Sequence, residues 1–469
     1  MKDQNKSQAF EKRSDKYLSS GGAQDIFYSK SAGNSKLTLV KGEGIYLWDD
    51  QGIKYIDASS GPVTCNIGHA NPRVLEAINK QSKQLTFAFP STAYNVPNIK
   101  LAEKLTALAG EGFERAFFVS GGSEAIDMAI KFCRQYRFAT GETQRHQLIS
   151  CQPSYHGMTL AALAVCGDPT FREIFGDMIT MGEKIPAVLD YRINFELTED
   201  EFAIRCAAKL EDKILEMGEK NVLAFIVEPV GGSSSGAIAP PESYFNEVRR
   251  ICTKYGVFLI YDEVMSGVGR SGSFLTSHNW PNARPDITVL AKGLGAGYIP
   301  LGAMLAPASL VDHLAELTGF NYAYTYNANP LACSVGLAIL KEIEENNLLE
   351  NSKIMGHCLR QNLLKLQQET NIIGDVRGRG LLLGIEFVAC KKTRRLLPLN
   401  LDVTEKIRIL AQQKGLLLYG RRSNNGKFGE SILIAPPLNI TENEVDLIIK
   451  LLTETILEYE IILKRERYI

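Results

Sequence analysis

Apolar runs that alternate with helix-patterned segments restrict the fold of this chain more than any other feature of its sequence. Val222–Val227, Val257–Tyr261 and Ile287–Leu290 contain no charged residue. Strands buried on both faces have this composition, and they occur in parallel sheets that helices cover on both sides. Ser123–Phe138 and Pro241–Tyr255 have the spacing of such helices. The alternation therefore predicts an α/β fold around a large, mostly parallel sheet.

The chain changes character on both sides of this alternating region. Short strand patterns precede it, and longer helical patterns follow Pro330. We predict an irregular N-terminal arm and strands of a small domain over residues 1–60. A large domain is predicted over residues 61–330, and the C-terminal part of a smaller α+β domain over residues 331–469. With 469 residues, 45% of them hydrophobic, the chain is long enough to bury more than one core.

Composition argues against several classes of protein. The formal net charge is −1, from 52 basic and 53 acidic residues, so no overall field favours nucleic acid or a membrane surface. The polar stretch from Met1 to Asp25 does not resemble a signal peptide, and the apolar runs are too short to cross a bilayer. Nine scattered cysteines and six histidines form no metal-binding motif. We expect a cytoplasmic protein without a metal, nucleic-acid or membrane partner.

Polar or reactive residues follow five of the predicted strands. In an open parallel sheet the carboxyl ends of the strands lie at one edge, where ligands bind. The five segments are Ser120–Glu124, Ser154–Gly157, Glu228, Asp262–Val264 and Ala291–Gly293. Their coincidence predicts one site at this edge.

The first of these segments has the composition of an anion site. Gly121 and Gly122 precede a helix whose first turn contains Ser123. Unpaired backbone N–H groups at a helix N-terminus suit a phosphate, and glycines let the backbone approach it closely. An ordinary helix cap by Ser123 is the alternative interpretation, and no Walker lysine follows the glycine pair.

Lys292 and Asp262 suggest covalent chemistry. A desolvated lysine has a lowered pKa and can attack a carbonyl. A carboxylate beside it could keep a pyridine nitrogen protonated. Lys292 could instead extend to solvent, and Asp262 could be a solvated or helix-capping residue or part of a Walker B site. Tyr155 and Val264 could pack on the two faces of a ring, or simply belong to the core.

Taken together, these segments resemble the class III (ω-amino acid type) pyridoxal 5′-phosphate (PLP)-dependent aminotransferases. The resemblance extends from about Leu37 to the C-terminus. Its most specific part is Asp262-Glu263-Val264 with Gly267-x-Gly269-Arg270, followed by Ala291-Lys292-Gly293. The remaining matches are Ser120-Gly121-Gly122-Ser123-Glu124-Ala125, Tyr155-His156-Gly157, Glu228-Pro229, Tyr324-Thr325-Tyr326 with Asn329-Pro330, Val376–Leu381 and Ala435–Leu438.

The resemblance implies PLP-dependent transferase fold type I, with PLP in the large domain and a smaller α+β domain. It implies that Lys292 forms the internal aldimine and moves the substrate proton, and that Asp262 contacts the pyridine nitrogen. Thr325 would reach the phosphate of a neighbouring subunit, which implies a homodimer. The implied cofactor-binding residues are Gly121, Gly122, Ser123, Tyr155, His156, Glu228, Asp262, Val264, Lys292 and Thr325.

The implied reaction moves an amino group from an amine or ω-amino acid to a keto acid such as pyruvate or 2-oxoglutarate, with ping-pong kinetics. Arg377 and Arg421 resemble carboxylate-binding arginines of the family, although Arg377 could be a surface residue. Val63 stands at about the sequence position where amine:pyruvate enzymes often carry a substrate-pocket tryptophan. Ser233 replaces a glutamate of the ornithine- and 4-aminobutyrate-type enzymes.

Other functions on the same fold remain open at this point. A PLP-dependent decarboxylase, aminomutase or racemase would use Lys292 and Asp262 in the same way. A PLP-binding regulator without turnover is a further alternative. A dehydrogenase is disfavoured, because no Gly-x-Gly-x-x-Gly turn joins a strand to a helix.

Overall fold

The computed structural model describes residues 37–189, 191, 196–320 and 322–469. The predicted arm over residues 1–35 lies outside the described residues. The strands are β1 (Leu39–Glu43), β2 (Tyr46–Asp49), β3 (Lys54–Asp57), β4 (Arg115–Val119), β5 (Gln147–Gln152), β6 (Glu183–Pro186), β7 (Val222–Val227), β8 (Phe258–Asp262), β9 (Ile287–Leu290), β10 (Gly302–Ala306), β11 (Ile373–Arg379), β12 (Leu382–Phe387), β13 (Leu416–Leu417), β14 (Tyr419–Gly420) and β15 (Glu430–Ile434).

Helices fill most of the chain between the strands. They are α1 (Pro72–Ser82), α2 (Val96–Ala109), α3 (Gly122–Ala139), α4 (Leu160–Ala164), α5 (Pro169–Phe175), α6 (Glu199–Met217), α7 (Glu242–Tyr255), α8 (Ala308–Leu317), α9 (Pro330–Glu345), α10 (Leu348–Glu369), α11 (Val403–Gln413) and α12 (Glu442–Arg465). Single helical turns lie at Ser60–Val63, Gly176–Met178, Thr276–Asn279, Pro281–Ala283, Lys292–Leu294, Leu399–Leu401 and Ser423–Gly426.

The central sheet has the strand order β4-β10-β9-β8-β7-β5-β6. Its strands pair in parallel from β9 across to β6. Only β10 is reversed, because it pairs antiparallel with both β4 and β9. The predicted α/β fold with a mostly parallel sheet is confirmed, and β6 and β10 are the strands of this sheet that the sequence interpretation missed.

The apolar runs are buried on both faces, as their composition predicts. Ala224 and Ile226 of β7 belong to a core cluster with residues of α3. Phe225 and Val227, which alternate with them, belong to a second cluster with residues of α6 and α7. Because successive strand residues point to opposite faces, helices on each side leave no position for a charged residue.

Two smaller sheets contain strands from the two ends of the chain. Their strand orders are β1-β2-β3-β13 and β11-β12-β15-β14. The parallel pairing of Leu416 with Ile56 joins β13 to β3, so the N-terminal strands lie with the C-terminal part of the chain. The boundaries at residues 60/61 and 330/331 stay predictions. None of the helices in the described residues combines the length and apolar composition that crossing a bilayer needs.

Candidate active site

A cavity of about 460 Å³ lies at the carboxyl ends of the central strands. Its volume is in the range of small-molecule sites. Most of the residues predicted from the sequence line it, although they come from distant parts of the chain. They are Gly121, Gly122, Ser123, Tyr155, His156, Glu228, Asp262, Val264, Lys292 and Arg421.

Lys292 lies two residues beyond the end of β9 and has a backbone φ of 38°, in the left-handed region that a non-glycine residue rarely adopts. Burial lowers the pKa of its amine to about 8, against the opposing influence of the Asp262 and Glu228 carboxylates. In the described part of the chain the amine has no hydrogen bond or ion pair. A substantial fraction of this amine is therefore neutral near physiological pH, as a nucleophile requires.

Asp262 is the last residue of β8 and is 5% exposed. Its Oδ1 accepts a hydrogen bond from the Val264 backbone N–H at 3.0 Å. Its Oδ2 lies 2.8 Å from Nδ1 of His156. Facing a carboxylate, Nδ1 donates, and Nε2 of the same ring is buried without a partner among the described residues. The pair fixes the carboxylate at the edge of the cavity.

Glu228 directly follows β7, the strand next to β8. Its Oε1 accepts a hydrogen bond from Gly232 N–H at 2.9 Å, and its Oε2 accepts one from Tyr155 N–H at 3.2 Å. Burial raises the pKa of this carboxyl; the nearby Asp262 also raises it, and His156 lowers it. Glu228 therefore holds the loop of Tyr155 against the end of β7.

The predicted phosphate site lies at the start of α3. Gly121 precedes the helix, and the N–H groups of Gly122, Ser123 and Glu124 come before the first helical hydrogen bond, which Ala125 N–H donates to the Gly121 carbonyl. Ser123 Oγ accepts a hydrogen bond from Met158 N–H at 3.0 Å, which ties this turn to the loop after β5. A Cβ at Gly122 would lie 2.9 Å from Val264 Cγ1. The glycine thus preserves space beside Val264.

These residues fit PLP. The amine of Lys292 can bind an aldehyde, the Asp262 carboxylate can face a pyridine nitrogen, and the N-terminus of α3 can hold a phosphate. A side chain at residue 122 would press on Val264, one of the two residues predicted to flank the ring. Tyr155 and Val264 both line the cavity, as the prediction of a ring between them requires.

Arg421 also lines the cavity, on the segment after β14, and we call this part of the cavity its substrate end. Its guanidinium lies 5.0 Å from the ring centroid of Tyr155 and 5.2 Å from that of Phe171. Its Nη2 is 3.5 Å from Oδ2 of Asp168. The sequence interpretation missed Asp168, because the Asp168-Pro169 pair indicates only the start of a helix.

Arg377 does not line the cavity. Its Nη1 lies 2.9 Å from Asp375 and 2.7 Å from Glu386. Its Nε and Nη2 donate to the carbonyls of Gly236 and Ser235. The structure therefore does not support Arg377 as the substrate's carboxylate ligand, because internal groups already pair its guanidinium.

Two further predicted residues do not line the cavity in this chain. Val63 is 1% exposed and belongs to a core cluster with Val230, while its neighbours Pro62 and Thr64 line the cavity. Thr325 lies next to Tyr324, whose hydroxyl donates to Asp127 of α3 at 2.8 Å. Thr325 is predicted to contact the phosphate in a neighbouring subunit, so it is not expected to line the cavity of its own chain.

A solved relative places this architecture in a known class. An amine transaminase from an uncultivated Pseudomonas species, solved in a PLP-bound form, superposes with a TM-score of 0.86 at 32% identity. The match covers 92% of this chain and 96% of that one. Fold and cavity together define an enzyme of PLP-dependent transferase fold type I.

Sequence relatives define the family. The Aminotransferase class-III family model matches residues 27–456. The putrescine–pyruvate aminotransferase of Pseudomonas aeruginosa is 32% identical over 425 residues, 88% of this chain and 89% of that protein. The diaminobutyrate–2-oxoglutarate transaminase of Halomonas elongata is 33% identical over 419 residues, 88% of each chain. The protein belongs to the class III aminotransferases and is a transaminase, which confirms the resemblance.

Proposed function

We propose that this transaminase binds PLP at Lys292 and moves an amino group from an amine or ω-amino acid to a keto acid in a ping-pong cycle. One observation carries the proposal. The amine of Lys292, with its pKa lowered to about 8, lines the same cavity as the Asp262–His156 pair and the glycine-rich start of α3.

Each side chain has a part in this reaction. When bound, PLP supplies an electron sink that makes the adjacent substrate C–H acidic. Lys292 Nζ takes that proton from the substrate carbon and returns one during the reverse half of the cycle. Asp262, fixed by His156, keeps a positive charge on the ring nitrogen. Glu228 holds the Tyr155 loop in place.

The substrate end of the cavity, which carries Arg421, indicates the chemistry of the amino donor and acceptor. Arg421 lines the cavity and offers a guanidinium to a carboxylate. The relatives from P. aeruginosa and H. elongata are named for a diamine with pyruvate and a diamino acid with 2-oxoglutarate. Both names support a terminal amine as donor and one of these two keto acids as acceptor.

The proposed assembly is a homodimer in which Thr325 completes the phosphate site of the partner. Large apolar side chains are exposed near Thr325. Tyr326, the next residue in the sequence, is exposed, and its ring lies 6.3 Å from the exposed ring of Phe87. Phe89, Tyr94 and Val96 extend this exposed set. Such a surface fits a second copy of the chain. Light scattering after size-exclusion chromatography tests this, and a monomeric mass would contradict it.

Borohydride trapping tests the proposed chemistry. The purified protein loaded with PLP is reduced with borohydride, digested and analysed by mass spectrometry, with Lys184→Ala as a matched lysine control. We expect a pyridoxyl adduct on Lys292 in both proteins. A panel of amines and ω-amino acids against pyruvate and 2-oxoglutarate then identifies the substrates. An adduct on another lysine, or no amino transfer with any pair, would overturn the proposal.

A further inference from the structure

We propose that Asp168 determines substrate specificity by pairing with Arg421 when the substrate has no carboxylate and by competing with the carboxylate when it has one. This inference deepens the proposed function and rests on it. It assigns a role in substrate choice to a residue that does not line the cavity itself.

The two oxygens of Asp168 have different partners. Oδ1 accepts hydrogen bonds from the Thr170 backbone N–H at 3.1 Å and from the Thr170 hydroxyl at 2.8 Å, so it caps α5. Oδ2 lies 3.5 Å from Arg421 Nη2 and 3.4 Å from the Asn424 backbone N–H. One oxygen is therefore used by the helix, and the other faces the segment that carries Arg421. Asp168 is 5% exposed and the Arg421 side chain 29% exposed, so water reaches this pair only from the side of the arginine.

Arg421 contacts two aromatic rings and, among the described residues, a single carboxylate. The ring centroids of Tyr155 and Phe171 lie 5.0 and 5.2 Å from its guanidinium, and Phe171 belongs to the helix that Asp168 caps. The contact with Asp168 is longer than a good charge-assisted hydrogen bond. A substrate carboxylate that forms two short N–H···O bonds can therefore replace it.

Asp168 should affect the reaction of donors with a carboxylate and donors without one in opposite directions. A donor without a carboxylate would leave the cation in the cavity unpaired, which is costly, and Asp168 removes that cost. A donor with a carboxylate must displace Asp168 and approach its negative charge. Asp168 therefore reduces the difference in reaction rate between donors with a carboxylate and donors without one, and its removal should increase that difference.

The test uses Asp168→Asn in the PLP-loaded enzyme. Asparagine keeps the helix cap through its Oδ1 and nearly the same side-chain volume, while it removes the charge and the second acceptor oxygen that faces Arg421. The donor half-reaction is followed by stopped-flow absorbance with 4-aminobutyrate and n-butylamine, which have the same chain length and differ in the carboxylate. We expect the second-order rate constant of the donor half-reaction to rise about two- to fivefold for 4-aminobutyrate and to fall by a similar factor for n-butylamine.

Three controls identify the cause. Asp177→Asn removes an exposed charge one turn beyond α5 and should change neither rate. In an Arg421→Leu background, Asp168→Asn should have no effect on the ratio of the two rates. Asp168→Ser, which also caps a helix, replaces the asparagine variant if that variant fails to fold.

Rates that change together, or that do not change, would overturn the proposal, since damage to α5 would lower both. A persistent effect in the Arg421→Leu background would overturn it as well. If the wild-type enzyme transfers no amino group from any donor, the proposed function fails and this inference falls with it. If the wild type is active and only the opposite changes are missing, the proposed function stands and the role of Asp168 does not.

Discussion

The two ends of the cavity are built from different kinds of structure. At the cofactor end, Glu228, Asp262 and Lys292 lie at or within two residues of the ends of three adjacent buried strands. At the substrate end, Arg421 follows the two-residue strand β14, and Asp168 precedes the seven-residue helix α5. Sheet hydrogen bonds fix the first set, whereas the second depends on loops that meet across more than 250 residues of sequence. We expect changes at the cofactor end to abolish chemistry and changes at the substrate end to redistribute substrates.

The largest effect should come from Lys292→Ala, because no other amine among the cavity residues can move the substrate proton. We expect the donor half-reaction to slow by about 10³-fold or more. Lys184→Ala is the matched control, since burial also lowers the Lys184 pKa to about 8.

The Lys184 amine donates to the carbonyls of Ala164 and Gly182 and does not line the cavity. Its removal should cost about 1 kcal/mol of stability and leave the rate of the folded enzyme within severalfold. Equal losses of rate in the two variants would show that lysine burial, and not position in the cavity, decides the chemistry.

Asp262→Asn should have the next largest effect. Asparagine can accept from Val264 N–H but has no charge to keep a ring nitrogen protonated, so we expect about a 10²-fold slower half-reaction. Glu263→Gln is the control from the neighbouring position.

Glu263 is buried and accepts the backbone N–H groups of Thr276 and Ser277. Its replacement should lower stability by about 1–3 kcal/mol, measured by urea unfolding, and change the rate of the folded enzyme little. A rate loss for Glu263→Gln that matches Asp262→Asn would remove the distinction between the two adjacent acids.

The pKa of Lys292 predicts a pH dependence that only the cofactor end should show. The neutral amine is the reactive form, and its pKa in the protein without cofactor is lowered to about 8. Below pH 8 the neutral fraction rises with pH, so the rate of PLP binding by the apoenzyme should increase about tenfold from pH 6 to pH 7, about fivefold from pH 7 to pH 8, and level off above that. Rapid-mixing absorbance measures it, and a flat profile between pH 6 and 8 would contradict the lowered pKa.

Much of the cofactor end can be predicted from sequence, and the reason is physical. Buried parallel strands have a recognisable composition, and the residues after them must share one edge of the sheet. The strand β10 could not be predicted in this way, because Gly302–Ala306 runs antiparallel to its neighbours and no polar site segment follows it. Lys292 and Asp262 follow such strands, so their meeting in one cavity is predictable, whereas the hydrogen bond from His156 to Asp262 is not.

The substrate end could not be predicted in the same way. Arg377 and Arg421 both precede polar or glycine-rich segments and look alike in sequence. The difference arises from partners elsewhere in the chain: Arg377 faces Glu386 across the β11–β12 pair, and Arg421 meets Asp168 and two aromatic rings. No local pattern indicates which carboxylate lies beside which arginine, so the sequence allowed both candidates.

Replacing these two arginines should give the smallest effects on rate and the sharpest test of the comparison. Arg421→Leu should reduce the preference for 4-aminobutyrate over n-butylamine about tenfold, because it removes charge-assisted hydrogen bonds to the donor's carboxylate. Arg377→Met should leave that preference unchanged but lower stability by about 3 kcal/mol, since it leaves Glu386 and Asp375 without their shared cation. The ratio of half-reaction rates and the urea midpoint of each variant separate the two roles. If Arg377→Met changed substrate preference and Arg421→Leu changed only stability, the assignment of the two arginines would have to be reversed, because only the guanidinium that meets the substrate can distinguish two donors of equal length.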